Sequence, residues 1–177
     1  MDALVPAFVG ALLAGVGERP ARLAALLGER RGALAGFALG HAAAIAIAVI
    51  GARLIAPTLT PAARSILLAI ALILAAIGTL WQRRVERPQG PAPIAAATGS
   101  FVGGDGTVFL AFALAVGASL PILAGVGAFA GAMLLAGVAG GMGQAWLRLP
   151  LRTIGRLAGG VLLVTGICVG LGGLRLI

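Results

Sequence analysis

The sequence predicts an all-α, polytopic membrane protein: six transmembrane helices arranged as two inverted three-helix repeats. Three observations carry that expectation. The 177 residues are 60% hydrophobic and only 10% charged, with a mean hydropathy of +1.12, which leaves too little polar material to coat a soluble globule. Apolar runs of about 20 residues, the length that crosses about 30 Å of hydrocarbon as helix, recur with short interruptions. The arginines, finally, collect in alternate interruptions.

The spans are expected at 4–27, 33–55, 63–81, 94–118, 120–142 and 157–174. The first has no basic region ahead of it, so it does not read as a cleaved secretory signal, and it is expected to stay in the mature protein. Gly28 to Gly32 separate it from the second span, and a turn at Pro57 and Pro61 leads into the third. A polar linker, 82–93, holds Arg83, Arg84, Arg87, Pro88, Gly90, Pro91 and Pro93, which end one helix and delay the next. Ser119, Leu120 and Pro121 join the fourth and fifth spans, and 143–156 joins the fifth to the sixth. The repeats are therefore 1–81 and 94–177. Pro121 and Pro150 are expected at span boundaries, and Trp81 and Trp146 as anchors at the cytoplasmic interface. The pairs Gly32/Gly36/Gly40, Gly127/Gly131, Gly137/Gly141 and Gly166/Gly170 have the small-xxx-small spacing that lets helices approach closely.

The net charge of +8 is carried by arginine alone. Arg30, Arg31, Arg83, Arg84, Arg87, Arg148, Arg152 and Arg156 fall in the first, third and fifth connections, which the positive-inside rule places in the cytoplasm. Arg53, Arg64 and Arg175 fall on the other side, so both termini are expected outside the cytoplasm. Membrane topology explains this charge without nucleic acid. Three spans per half is an odd number, so the second half must run inverted, an arrangement common in secondary transporters. Ala, Gly and Arg richness without lysine points to a bacterial inner membrane. The single cysteine, Cys168, has no partner for an internal disulfide.

Of five acidic residues, Asp2, Glu29 and Glu86 fall at ends or connections, whereas Glu18 and Asp105 fall inside spans. Counted from the expected cytoplasmic ends at 1.5 Å per residue, both lie roughly 13–17 Å deep, and His41 lies at roughly 12 Å. Intramembrane acids are costly unless paired, wetted or protonated, which makes them functional candidates. For Glu18 the competing expectation is an ion pair with Arg22, four residues on, with Arg19 adjacent. Asp105 has no basic neighbour in its span. For His41 a packing role competes with a ligand role.

Both acids follow a glycine, Gly17-Glu18 and Gly104-Asp105, at an offset of 87 residues. Pro20 cannot donate to the carbonyl of Val16, and Gly103, Gly104 and Gly106 surround Asp105, so each helix is weak there. Carboxylates, freed carbonyls and the hydroxyls of Thr107 or Ser100 are oxygen ligands suited to hard divalent cations. Protonation of such carboxylates releases metal, which couples the two movements.

These segments resemble the transmembrane protein 165 (Gdt) family, six-span cation/proton exchangers with a Glu-x-Gly-Asp-(Lys/Arg)-(Thr/Ser) motif in each half. The counterparts are Gly15-Val16-Gly17-Glu18-Arg19-Pro20, followed by the Leu23 to Leu27 run, and Val102-Gly103-Gly104-Asp105-Gly106-Thr107. The resemblance covers nearly the whole chain. It implies exchange of manganese or calcium for protons, with metal held at Glu18, Asp105 and Thr107, and His41, Arg22, Arg19 and Ser100 as further site candidates. The motif's leading glutamate is replaced by Gly15 and Val102, and its first hydroxyl position by Pro20, which implies a weaker hold on the cation. Two alternatives stand beside this: a diverged member acting as a partner subunit, and a small-solute exporter. No catalytic constellation accompanies the lone histidine, so no enzyme and no cofactor are expected. The lipid bilayer, cation and protons are the expected partners, and a homodimer is an open arrangement.

Overall fold

The computed structural model describes residues 3–16, 18–28, 30–81, 91–103 and 105–174, with the side chains of Gly103 and Asp105 also outside the description. Asp2, Glu29, Glu86, Arg83, Arg84, Arg87, Gly104 and Arg175 lie outside the described residues. Among those described, all regular structure is helical.

The first span is broken. Helix α1 (Leu4–Gly15) stops one turn before Pro20, and α2 (Arg19–Leu27) restarts at an angle of 70°. Glu18 sits between them in extended backbone, φ −78° and ψ 159°, as the N-cap of α2. Pro20 then occupies the first turn of α2, where a missing N–H costs nothing. Gly32, at φ 80°, makes the left-handed turn into α3 (Ala33–Ile55). A single 3-10 turn, Ala56–Thr58, leads to α4 (Pro61–Leu80), whose N-cap Thr60 accepts a hydrogen bond from the Ala63 N–H at 3.2 Å.

The fourth span repeats the break. Helices α5 (Ala92–Gly103) and α6 (Asp105–Gly117) are bent by 52°. Then follow α7 (Pro121–Met142), the short α8 (Gln144–Arg148) and α9 (Leu151–Gly173). Helices α3, α4, α7 and α9 are long and apolar enough to cross a membrane, and counting each bent pair as one span brings the total to six.

Two expectations need correction. The connection after α7 is largely helical: it contains α8, and α9 begins at Leu151, six residues before the expected start of the last span. Arg152 and Arg156 lie on the exposed face of α9, so the helix continues beyond its apolar run; low hydropathy marked the end of that run, and backbone geometry carried on. Trp146 is not an interface anchor. It is 6% exposed and packs with Ala25, Leu27 and Leu151 in an apolar cluster, whereas Trp81 is 76% exposed.

The packing follows from residue size. Leu39, Ile47, Leu54, Val164 and Leu157 point outward, and the interior is built from alanine and glycine. Between helices in lipid there is no hydrophobic gain from burying leucine, so association depends on close backbone approach, which small residues permit. Helices α1 and α2 pack on α7, α5 and α6 pack on α3, α3 packs on α7, and α4 packs on α9. A Cβ added at Gly36 or Gly40 would collide with the carbonyl of Pro93 or Ala97 on α5, and one at Gly127 with the carbonyl of Leu4 on α1. A Cβ at Gly131 would likewise stand 2.6 Å from Phe8 O, and one at Gly166 3.2 Å from Ala69 O. Gly137 and Gly141 face open space, so that spaced pair makes no helix contact.

Gly127→Val should therefore destabilise the protein by about 1–3 kcal/mol, the usual cost of overpacking. Gly137→Ala should be neutral or stabilising by up to about 1 kcal/mol, through helix propensity alone. Thermal unfolding in detergent measures both.

Candidate functional site

The break in the first span carries a carboxylate to the break in the fourth. α1 ends at Gly15, whose carbonyl accepts from the Glu18 N–H at 3.2 Å, and the extended backbone of Glu18 lets its side chain leave the helix line. Its carboxylate makes no capping bond to α2. It reaches α6 instead: Oε1 accepts from the Thr107 N–H at 2.7 Å, and Oε2 accepts from Thr107 Oγ1 at 2.9 Å.

Thr107 is the third residue of α6, and the first N–H groups of any helix lack intrahelical partners. Glu18 thus performs, from another helix, the capping that a Ser or Asp side chain performs locally. The positive end of the α6 dipole and two donors meet the negative charge. Gly106 makes the approach feasible. A Cβ there would stand 2.5 Å from Glu18 Oε1 and 3.5 Å from the Ala75 Cα, leaving no room for both side chain and carboxylate.

Asp105 opens α6, and its side chain lies outside the described residues. The offset of 87 that pairs Glu18 with Asp105 also pairs Thr107 with Pro20. Proline has neither an N–H nor a hydroxyl, so the bond that Glu18 makes to Thr107 has no chemical equivalent in the other direction. The two motifs are related in sequence and unequal in chemistry.

His41, on α3, is 1% exposed. Its ring stacks on Phe37, one turn earlier, with centroids 5.7 Å apart and planes at 19°. Among the described residues neither ring nitrogen has a hydrogen-bond partner, although the Ser100 backbone approaches the ring. Glu18, Thr107 and His41 line one cavity, closed elsewhere by Gly15, Ala132 and Leu135 among other apolar groups, with about 10 Å³ of space for the centre of a water-sized sphere.

The other sequence candidates fall outside this cavity. Ser100 is fully buried, but its hydroxyl donates to the carbonyls of Phe37 and Ala97, both at 3.1 Å, and so joins α5 to α3. Arg19 is exposed at the start of α2 and Arg22 is partly buried on the same helix. Phe37, which supports His41 through its ring and Ser100 through its carbonyl, was not singled out by sequence; its i, i+4 spacing to His41 was the available signal. Among the described residues no three His, Cys, Asp or Glu side chains come together as a metal cluster.

A wider cavity, about 490 Å³, lies between α4 and α6 and is lined by Arg64, Ser65 and Ser119. The Arg64 guanidinium donates to Ala56 O at 2.8 Å. Leu110, 2% exposed and packed with Ala14, Ala71 and Ala75, sits on α6 between this cavity's Ala113 and Leu114 and the inner cavity's Thr107.

No protein-family model, no curated protein and no solved structure matches the chain.

Gly106→Ala should expel the Glu18 carboxylate from its donors and destabilise the protein by about 1.5–3 kcal/mol, the range for a hydrogen bond to a charged group. Gly117→Ala, at the open end of the same helix, should change stability by less than about 1 kcal/mol. Unfolding in detergent, run on both variants, checks the contrast.

Proposed function

We propose that this chain is a six-span exchanger of the Gdt type, seated in a bacterial inner membrane with both termini on the non-cytoplasmic side, moving a divalent cation, manganese or calcium, against protons. The observation that carries this is the cavity at the meeting of two helix breaks, walled by the Glu18 carboxylate, the Thr107 hydroxyl and the His41 imidazole. Broken helices at mid-depth are where transporters bind ions, because irregular backbone is tolerated there only beside a cavity. The cavity's volume of about 10 Å³ is that of a site for one water-sized species. An ion shed of its hydration fits it; an amino acid does not.

The inverted repeat is part of the same proposal and draws support from the packing. Exchanging the halves turns the contact of α1 with α7 into that of α5 with α3, and the contact of α2 with α7 into that of α6 with α3; both members of each pair are present. In this arrangement the wider cavity beside Arg64 is a vestibule on the non-cytoplasmic side, and Leu110 with its alanine neighbours closes it from the ion site. Protons and metal compete for the same carboxylate, so that loading one releases the other.

One observation favours a second reading, a diverged member that serves as a partner subunit or moves another solute: Gly15 and Val102 stand where the family motif has glutamates.

In proteoliposomes, adding manganese or calcium should drive proton flux through the unaltered protein. Glu18→Gln and Asp105→Asn should each lower that flux at least tenfold, and Arg19→Gln, at an exposed position, should leave it within twofold. Folded protein that moves no protons with either ion would give the lead to the second reading.

A further inference from the structure

His41 is the feature that exchange through carboxylates leaves unexplained. Its ring is buried to 1% exposure, held against Phe37 by stacking. It is also fixed by its neighbour Gly40, which lies so close to Ala97 O and Ser100 Oγ that α3 cannot rotate at this level. Burying a polar group without a partner costs about 1–3 kcal/mol, and here neither ring nitrogen makes a full hydrogen bond among the described residues, the Ser100 backbone being the polar group that approaches the ring. The ring nevertheless borders the one small space that Glu18 and Thr107 also border.

The rest of that wall is apolar, with Ala21, Ala132, Leu135 and Ala136 supplying no hydrogen-bonding side chain. Three polar groups therefore face a space sized for one small species, and their types differ. Glu18 brings carboxylate oxygens already steadied by two donors, the condition in which a carboxylate is held ready as a ligand. Thr107 donates its hydroxyl proton to Glu18 and keeps oxygen lone pairs. His41 brings a nitrogen. A water molecule can satisfy such a trio, but so can a cation that accepts mixed nitrogen and oxygen ligands. Calcium and magnesium take oxygen ligands almost exclusively; manganese also favours oxygen but, as a transition metal, accepts an imidazole nitrogen, the ligand that suits zinc, copper, iron and nickel best.

We infer that His41 is a direct nitrogen ligand of the bound cation, and that the site consequently selects a nitrogen-accepting divalent metal such as manganese over calcium. This rests on the exchanger reading and narrows its substrate. It also gives a reason for a site with only two motif acids to hold metal: a neutral imidazole supplies a ligand where the family motif would supply further charge.

Because the chain has a single histidine, the ligand can be read without mutation. Protein produced without a histidine tag and held in lipid nanodiscs would be loaded with manganese alone, and the bound ion's pulsed electron spin resonance recorded. The expected result is coupling to a directly bound nitrogen-14, converted to a nitrogen-15 pattern when only histidine carries nitrogen-15. In a parallel titration, His41→Gln should lower manganese affinity at least tenfold and change calcium affinity less than twofold. Bound manganese with no histidine coupling would overturn this inference while leaving carboxylate-based exchange standing. Folded protein that binds calcium but no manganese would overturn this inference alone, and folded protein that binds neither ion would overturn both.

Discussion

One carboxylate organises the centre of this protein. Glu18 leaves the chain where α1 fails to continue into α2, and its two oxygens are received by the N–H and hydroxyl of Thr107 at the start of α6. Each partner solves the other's problem. An acid among apolar helices is expensive unless its charge is met, and the first N–H groups of a helix are expensive unless they find acceptors. Breaking two helices exposes both needs side by side, and the bond across the breaks satisfies them together. Gly106 is the permission for this contact, because any side chain there occupies the carboxylate's place.

The surroundings are arranged so that backbones can come close enough for such a bond to form. Alanine and glycine fill the interior, and the larger aliphatic side chains face outward. This inverts the pattern of a soluble protein for a simple reason: lipid is as apolar as leucine, so burying leucine earns no advantage, and contact between helix backbones through Gly36, Gly40, Gly127 and Gly131 takes over as the source of cohesion. The same closeness confines the central space to a few ångströms, and it fixes His41 on the wall of that space between Phe37 and the α5 backbone.

Much of this was legible in the residues. Hydropathy located the four long helices and the two bent pairs, and the bounds of the second run, 33–55, coincide with α3. The breaks were announced by Pro20 and by the glycines around Asp105. Hydropathy was silent where helix and apolar run part company: α9 runs six residues beyond its apolar stretch with Arg152 and Arg156 on its exposed face. It was equally silent about Trp146, whose burial depends on the packing of α8 against α2. At the site, sequence singled out Glu18, Asp105 and His41 as residues of similar depth, and Thr107 as an oxygen ligand. Depth could not say that Thr107 would be the partner of Glu18, since that depends on the direction in which a broken helix restarts. Ser100 shows the opposite failure: it has the right chemistry and depth, but its hydroxyl is consumed in joining α5 to α3.

The central claim is that Glu18 and Thr107 act as one unit across the two halves. The most direct test is a double-mutant cycle: unfolding free energies for the unaltered protein, Glu18→Ala, Thr107→Val and the double variant, measured in one detergent at one pH. A direct bond to a charged group should appear as a coupling of about 1 kcal/mol or more, so that the double variant loses less than the sum of the single ones. Effects that add to within about 0.3 kcal/mol would mean that the two residues act independently, and that the breaks are held by packing alone.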